Sequence, residues 1–227
     1  VHVPDAAELV SRSDVLIVGL KPYVIPDVLP RLSEAIAASH PLVVSIAAGV
    51  PLERLESMLP IGTRVVRTMP NMAASVGESM TALAPGSSAS AEDLETVRTL
   101  METIGRTVVL EEKDFSSFIG LSGSSPALVC AFIDALARAG VMGGIPKAQA
   151  VQIVAQAVLG TARTVQTEAQ RTAEGGHGRT PADLIDAVCS PGGTTVAGMV
   201  ALERAGFSDA VVRAFEAITE RDRELGA

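Results

Sequence analysis

The sequence predicts an α/β domain followed by an all-α domain, on three observations. Continuous apolar runs of strand length alternate with helical patterns through the first half. The strand signal stops near Asp114. The remainder carries helical spacing and little charge. Buried β-runs separated by helices are the pattern of a doubly wound sheet with parallel strands. The expected division is residues 1–112 and 113–227.

Each element has its own signal. "DVLIVGL" (14–20) is the first strand run, followed by a helical pattern from Val24 to Ala38. "PLVVSIA" (41–47) is the second, with a short helix from Leu52 to Met58 behind it. "TRVVRTM" (63–69) is the third and ends in Pro70-Asn71; strand-like pieces at 79–84 and 106–110 flank a helix at 91–103. Further on, Ser125-Pro126 has the form of an N-cap with proline at the first helical position, and Gly140 of its stop. Pro146 opens the next helix, where Val151, Val154, Val158, Ala162 and Val165 keep helical spacing. Residues 166–181 are polar and glycine-bearing, the mark of a loop or frayed helix end. The last helix starts near Ser208 and gathers Phe207, Val211, Phe215, Ile218 and Leu225 on one side.

Composition removes several classes of function. The 227 residues are 48% hydrophobic and 19% charged, with a net charge of −8, so no Lys/Arg stripe exists to displace counterions from nucleic acid. Cys130 and Cys189 form no C-x-x-C pair and read as free thiols of a cytoplasmic protein. His2, His40 and His177 are far apart, and no metal site is expected. No run reads as transmembrane and no signal peptide is expected. Between Phe115 and Val165 only Asp134, Arg138, Lys147 and Arg163 are charged, too few for the outside of a monomer, so a partner chain is expected to cover these helices.

Ligands of a doubly wound sheet collect at the carboxyl ends of its strands. Here those ends read "GLKP", "SIAAGV" and "RTMPN", small residues and prolines that keep backbone close to a ligand. Lys21 offers a charge for a phosphate or ribose edge. Asn71, the only asparagine, can donate and accept, or simply serve the turn after proline. A G-x-G-x-x-G turn is absent, and the opening "VHVPDAAELV" reads as the tail of a strand; the chain is expected to start late in such a sheet. Tyr23 has no lysine four residues on, and no Gly-x-Ser-x-Gly elbow occurs.

A second feature lies at 190–199, "SPGGTTVAGM". Glycines there turn the backbone and leave N–H groups unshielded, and Thr194 and Thr195 add hydroxyls at a helix start, which together suit a carboxylate or phosphate. Taken alone, the window also fits a tight connection with a Thr N-cap.

The ordered blocks "GLKP", "SIAAGV", "RTMPN", "VGESMTAL", "LSGSSPALVCAFIDALARAGV", "GIPKAQA" and "SPGGTTVAGMVALERAGF" resemble the Δ1-pyrroline-5-carboxylate reductases over nearly the whole chain. The resemblance implies a Rossmann-type dinucleotide domain, here truncated, and a helical domain that interlocks with a second subunit as a homodimer. It implies reduction of a cyclic imino acid, 1-pyrroline-5-carboxylate, to L-proline by NADPH or NADH, in proline biosynthesis. Ser190, Gly193, Thr194 and Thr195 would hold the substrate carboxylate, with Thr195 also beside the ring nitrogen as the catalytic residue. Leu20, Lys21, Pro22, Ala47, Ala48, Pro70 and Asn71 would line the nucleotide and nicotinamide. Departures from the family pattern are Ser125 and Leu128 in place of glycine and tyrosine, the lack of an asparagine in "VPDAA", and the expected loss of the first strand, its glycine turn and the second strand. Two alternatives stay open: a non-catalytic relative that keeps the dimer and the carboxylate seat, and a reductase of another imine or keto acid.

Overall fold

The structure, a computed structural model, describes residues 5–226. The strand tail expected at residues 1–3 lies outside them, as does the side chain of Leu225.

The chain opens on α1 (Ala6–Ser11), capped by the Asp5 carboxylate, and enters β1 (Val15–Val18). The helix expected at 24–38 is broken into α2 (Ile25–Val28), a 3₁₀ turn (Leu29–Leu32) and α3 (Ser33–Ser39). Pro26 and Pro30 account for the breaks, since neither has an N–H to give the turn before it. β2 (Leu42–Ser45), α4 (Leu52–Ser57) and β3 (Val65–Met69) follow, then β4 (Ser79–Pro85), α5 (Ala91–Glu102) and β5 (Gly105–Val109).

The five strands lie in the order β1-β2-β3-β4-β5. All neighbouring pairs are parallel except β3–β4, which is antiparallel. The doubly wound, mainly parallel sheet expected from the sequence is present, with this one antiparallel pair added to it. Only residues 70–78 join β3 to β4, fewer than the dozen or so that a parallel crossover needs. Right-handed crossovers between strands of reversed direction place their helices on opposite faces. Accordingly Leu16, Val43 and Val65 pack with Ile25, Leu29, Leu52 and Leu55, while Val44, Val66 and Leu83 pack with Val97 and Met101 of α5. Each such buried side chain contributes about 1.5–3 kcal/mol.

Beyond β5, α6 (Phe115–Phe118) runs into a π turn (Ile119–Gly123) and, after a bend at Ser124, into α7 (Ser125–Met142). Ser125 is therefore not the N-cap expected; its hydroxyl donates back to the Leu121 carbonyl at 2.7 Å. Gly140 does not stop α7 either. A Cβ there would press on Ala150 of α8 (Lys147–Ala173), and the turn falls at Gly143-Gly144, where Gly144 takes φ +89°. Pro181–Val188 form α9, Thr194–Arg204 form α10 and Phe207–Gly226 form α11.

By compactness, the described residues up to Pro126 together with those from Phe215 onward form one unit, and Ala127–Ala214 form a second. In the first unit, Gly120 lets the π turn meet Phe215, where a Cβ would clash with the ring, and Ser116 donates to Asp222 at 2.7 Å. In the second unit only Ala137, Ala150 and Val154 are buried apolar residues, while Phe132, Leu136, Ile153 and Leu159 stay exposed. The helical run Glu112–Met142 is long and apolar enough to cross a membrane by length and composition, which the sequence reading did not anticipate.

The loop expected at 166–181 shrinks to 174–180, because α8 continues through its polar end. Glu168, 3% exposed, explains the continuation. Its carboxylate accepts from the Arg179 backbone N–H at 3.1 Å, from the Arg179 guanidinium at 2.9 Å and from Arg171. These bonds, the Arg179 amide first, hold the Glu168 carboxyl below the ordinary glutamate range. The resulting stability is present above the unfolded value of about 4.3 and is lost as pH falls through the folded one. Glu168→Gln is expected to lower the Tm at pH 7, and the gap from the parent to close below pH 4, in thermal unfolding followed by circular dichroism.

Candidate active site

Parallel pairing aligns the ends of β1, β2 and β3. Val18 lies beside Ser45, and Ser45 beside Arg67, so the chain leaves all three strands along one edge. This brings Leu20, Lys21, Pro22, Ala48, Pro70 and Asn71 into one row. Leu20, Lys21, Pro22 and Ala48 are exposed, and Pro70 and Asn71 half-buried. Ala47, expected in this row, is instead buried as a whole residue at 3% exposure, because its methyl packs into the core beneath the turn. The turn after β2 is shaped by the buried Ser45 hydroxyl, which accepts from the Ala47 amide at 3.3 Å, while Thr68 donates to the Ser45 carbonyl at 3.1 Å.

Two anchors that sequence reasoning missed hold this row. Arg67, 5% exposed, donates Nη1 to Glu112 Oε1 at 2.8 Å and lies 4.5 Å over the Phe115 ring. The same carboxylate oxygen accepts from the amide of Leu52, the first residue of α4, at 2.6 Å. The start of α4, and with it the turn 46–51, is thereby tied to β3. Arg67 Nε is the one buried side-chain polar atom without a partner among the described residues. An arginine inside "TRVVRTM" was the available signal, because a charge in a buried run demands a partner. The second anchor is Ser122, whose carbonyl and hydroxyl oxygens accept from Asn71 Nδ2 at 3.2 and 3.1 Å.

In the second unit, Ser190, Gly193, Thr194 and Thr195 are close neighbours. α9 ends at Val188, Gly192 turns with φ +70°, and the Gly193 amide donates to the Ser190 carbonyl at 2.9 Å. Gly193, not a threonine, is the N-cap of α10, and no side chain caps it. A side chain at 193 would strike the Ser190 hydroxyl. Thr194 and Thr195 are the first two helical residues and both are exposed. The first four N–H groups of a helix have no intrahelical partner. Here the Gly193 amide is satisfied and those of Thr194, Thr195 and Val196 have no backbone partner among the described residues, with a positive dipole end behind them. The arrangement suits a carboxylate.

The residues from 112 to 225 match the family model described as pyrroline-5-carboxylate reductase dimerisation. The chain is 41% identical over 222 residues to the pyrroline-5-carboxylate reductase of Methanosarcina acetivorans, covering 98% of this chain and 78% of the relative. It belongs to the pyrroline-5-carboxylate reductase family. The Escherichia coli pyrroline-5-carboxylate reductase is 37% identical over 220 residues, covering 97% and 78%. Among solved structures, 1-pyrroline-5-carboxylate reductase from Streptococcus pyogenes aligns with a TM-score of 0.85 at 38% identity, over 97% of this chain and 80% of that one. Pyrroline carboxylate reductase from Plasmodium falciparum, solved with NADP bound, aligns with a TM-score of 0.86 at 27% identity, over 97% and 80%.

Against the reductase family's dinucleotide, the strand-edge row fits at the level of chemistry. Exposed backbone at Leu20–Pro22 and Ala48, with the Lys21 ammonium unpaired among the described residues, can accept a flat ring and a phosphate or ribose edge. No Gly-rich turn that would seat a pyrophosphate occurs among the described residues. Glu112→Ala leaves the buried Arg67 charge without its carboxylate and frees the α4 start. It is expected to cost about 3 kcal/mol, at the low end for a broken buried pair, read from urea unfolding midpoints.

Proposed function

We propose that this chain reduces 1-pyrroline-5-carboxylate to L-proline with NADPH or NADH. The observation that carries the proposal is the seat at 190–196, with three amides and three hydroxyls that have no partner among the described residues, in a chain related to reductases over 98% of its length. The dinucleotide, when bound, supplies the hydride that the imine carbon accepts; the ring nitrogen ends with a proton.

The residues act by holding rather than by acid–base exchange. The amides of Thr194, Thr195 and Val196, with the Ser190 and Thr194 hydroxyls, bind the substrate carboxylate. Thr195 reaches the ring nitrogen and fixes which face of the C=N is open. Gly193 keeps the backbone bare for this approach. Leu20, Lys21, Pro22, Ala48 and the backbone at Pro70 and Asn71 receive the dinucleotide. A protonated imine is already an electrophile, so orientation of the two reactants does most of the work, an effect worth ~7–11 kcal/mol when both are well held.

The functional unit in this reading is a homodimer. The scarcity of buried apolar side chains in Ala127–Ala214 supports it, as does the family model's description. A second copy over α7 and α8 would cover Phe132, Leu136, Ile153 and Leu159. Val154, which sequence spacing had placed on that face, is buried within its own chain. A cytoplasmic location belongs to the same reading, supported by the two free thiols, Cys130 and Cys189.

Loss of NADPH absorbance with pyrroline-5-carboxylate, measured on the full-length protein, tests the proposal; absence of both turnover and proline binding overturns it. Thr195→Ala is expected to lower kcat/KM by one to two orders of magnitude, from the loss of one charge-assisted bond of ~1.5–3 kcal/mol. Leu136→Glu is expected to give a monomer in sedimentation velocity while Val154→Glu unfolds the chain instead.

A further inference from the structure

We infer that Ser122 is a positioning residue for the strand end that receives the dinucleotide, acting through Asn71, whose side-chain amide hydrogens are held in a strut rather than free for a ligand. The functional half of this inference rests on the reductase reading; the structural half stands without it.

The Asn71 amide group is already committed. Its Oδ1 accepts from the Ala73 amide at 3.0 Å and so caps the 3₁₀ turn Met72–Val76. Its Nδ2 donates to both oxygens of Ser122. An amide has two N–H donors, and both are used. The Asn71 backbone N–H in turn donates to the Ser79 hydroxyl at 3.1 Å. No donor remains for a nicotinamide, so what this position can still offer a ligand is acceptors, the second lone pair of Oδ1 and the backbone carbonyls.

The availability of Ser122 follows from the sequence around it. In an unbroken α-helix the Ser122 carbonyl would accept the N–H of the residue four places on. That residue is Pro126, which has none. The π turn, closed by the Ser124 amide on the Ile119 carbonyl at 2.8 Å, shifts the register just where the proline removes the donor. The carbonyl is thus left for Asn71, and the hydroxyl beside it, on a residue 9% exposed, takes the second amide hydrogen and itself reaches the Met80 carbonyl at 3.4 Å. π turns of this kind recur at functional sites. Here the helix distortion supplies acceptors to a strand end 51 residues away in sequence.

Because Asn71 is the only asparagine of this chain, ¹⁵N-asparagine labelling gives one side-chain amide pair whose exchange with water reads the strut directly. Slow exchange is expected with and without NADPH, and exchange faster by about tenfold in Ser122→Ala and in Pro126→Ala, since each removes or diverts an acceptor. The same Ser122→Ala change is expected to raise the NADPH dissociation constant and KM about fivefold with kcat held within twofold, and Ser122→Thr to restore both. Rapid exchange in the parent, or protection that appears only on adding NADPH, overturns the strut. Faster exchange in Ser122→Ala with unchanged NADPH affinity overturns the positioning role. A parent that protects the amide but binds no NADPH overturns the reductase reading and leaves the strut standing on its exchange rates.

Discussion

The parallel pairing of β1, β2 and β3 is the constraint from which the candidate site follows. Strands that share a direction must release the chain on the same side, so three segments separated by twenty or so residues of helix converge without any attraction between them. What differs is how firmly each is held afterwards. The segment after β3 is fixed by the Asn71–Ser122 bonds, and the one after β2 by Glu112 on the Leu52 amide. After β1 the described restraint is local to a 3₁₀ turn, the Val24 amide on the Lys21 carbonyl at 2.9 Å and the Ile25 amide on the Pro22 carbonyl, with no side-chain hydrogen bond from another element. Firmness declines along the row from β3 to β1.

Much of this architecture was legible. Apolar runs at 14–20, 41–47 and 63–69 announced the strands, and their ends announced the row. Strand direction was not legible, because a period of two residues has no polarity; only the length of the 70–78 connection carried it. A helix does begin at Ser125-Pro126, but Ser125 looked like its N-cap because the local pattern of a cap and of a proline after a distorted turn is the same. The polar stretch 166–173 was misread for a related reason. Its helix depends on Glu168 being satisfied by Arg179, a partner eleven residues away that no window of helical spacing includes.

The candidate site divides the same way. "SPGGTT" was readable because every property it needs is local: a positive φ at Gly192, a bare N-cap at Gly193, and hydroxyls on the first turn. Arg67 and Ser122 were missed as anchors because each acts on a residue some fifty places off, across the sheet and the helix that follows it. Ala47 follows β2 as expected, but its burial depends on the core beneath it, which no local pattern carries.

The clamp between Glu168 and Arg179 also decouples two lengths of chain. The carboxylate grips the backbone on the far side of residues 174–177, and the Thr180 hydroxyl then caps α9 independently through Asp183. Extra residues placed in that short exposed span would lengthen a loop whose ends are already pinned, at an entropic expense that grows only with the logarithm of its size. Evolution, or an engineer inserting an epitope, can therefore vary this stretch freely while α9 downstream keeps its cap.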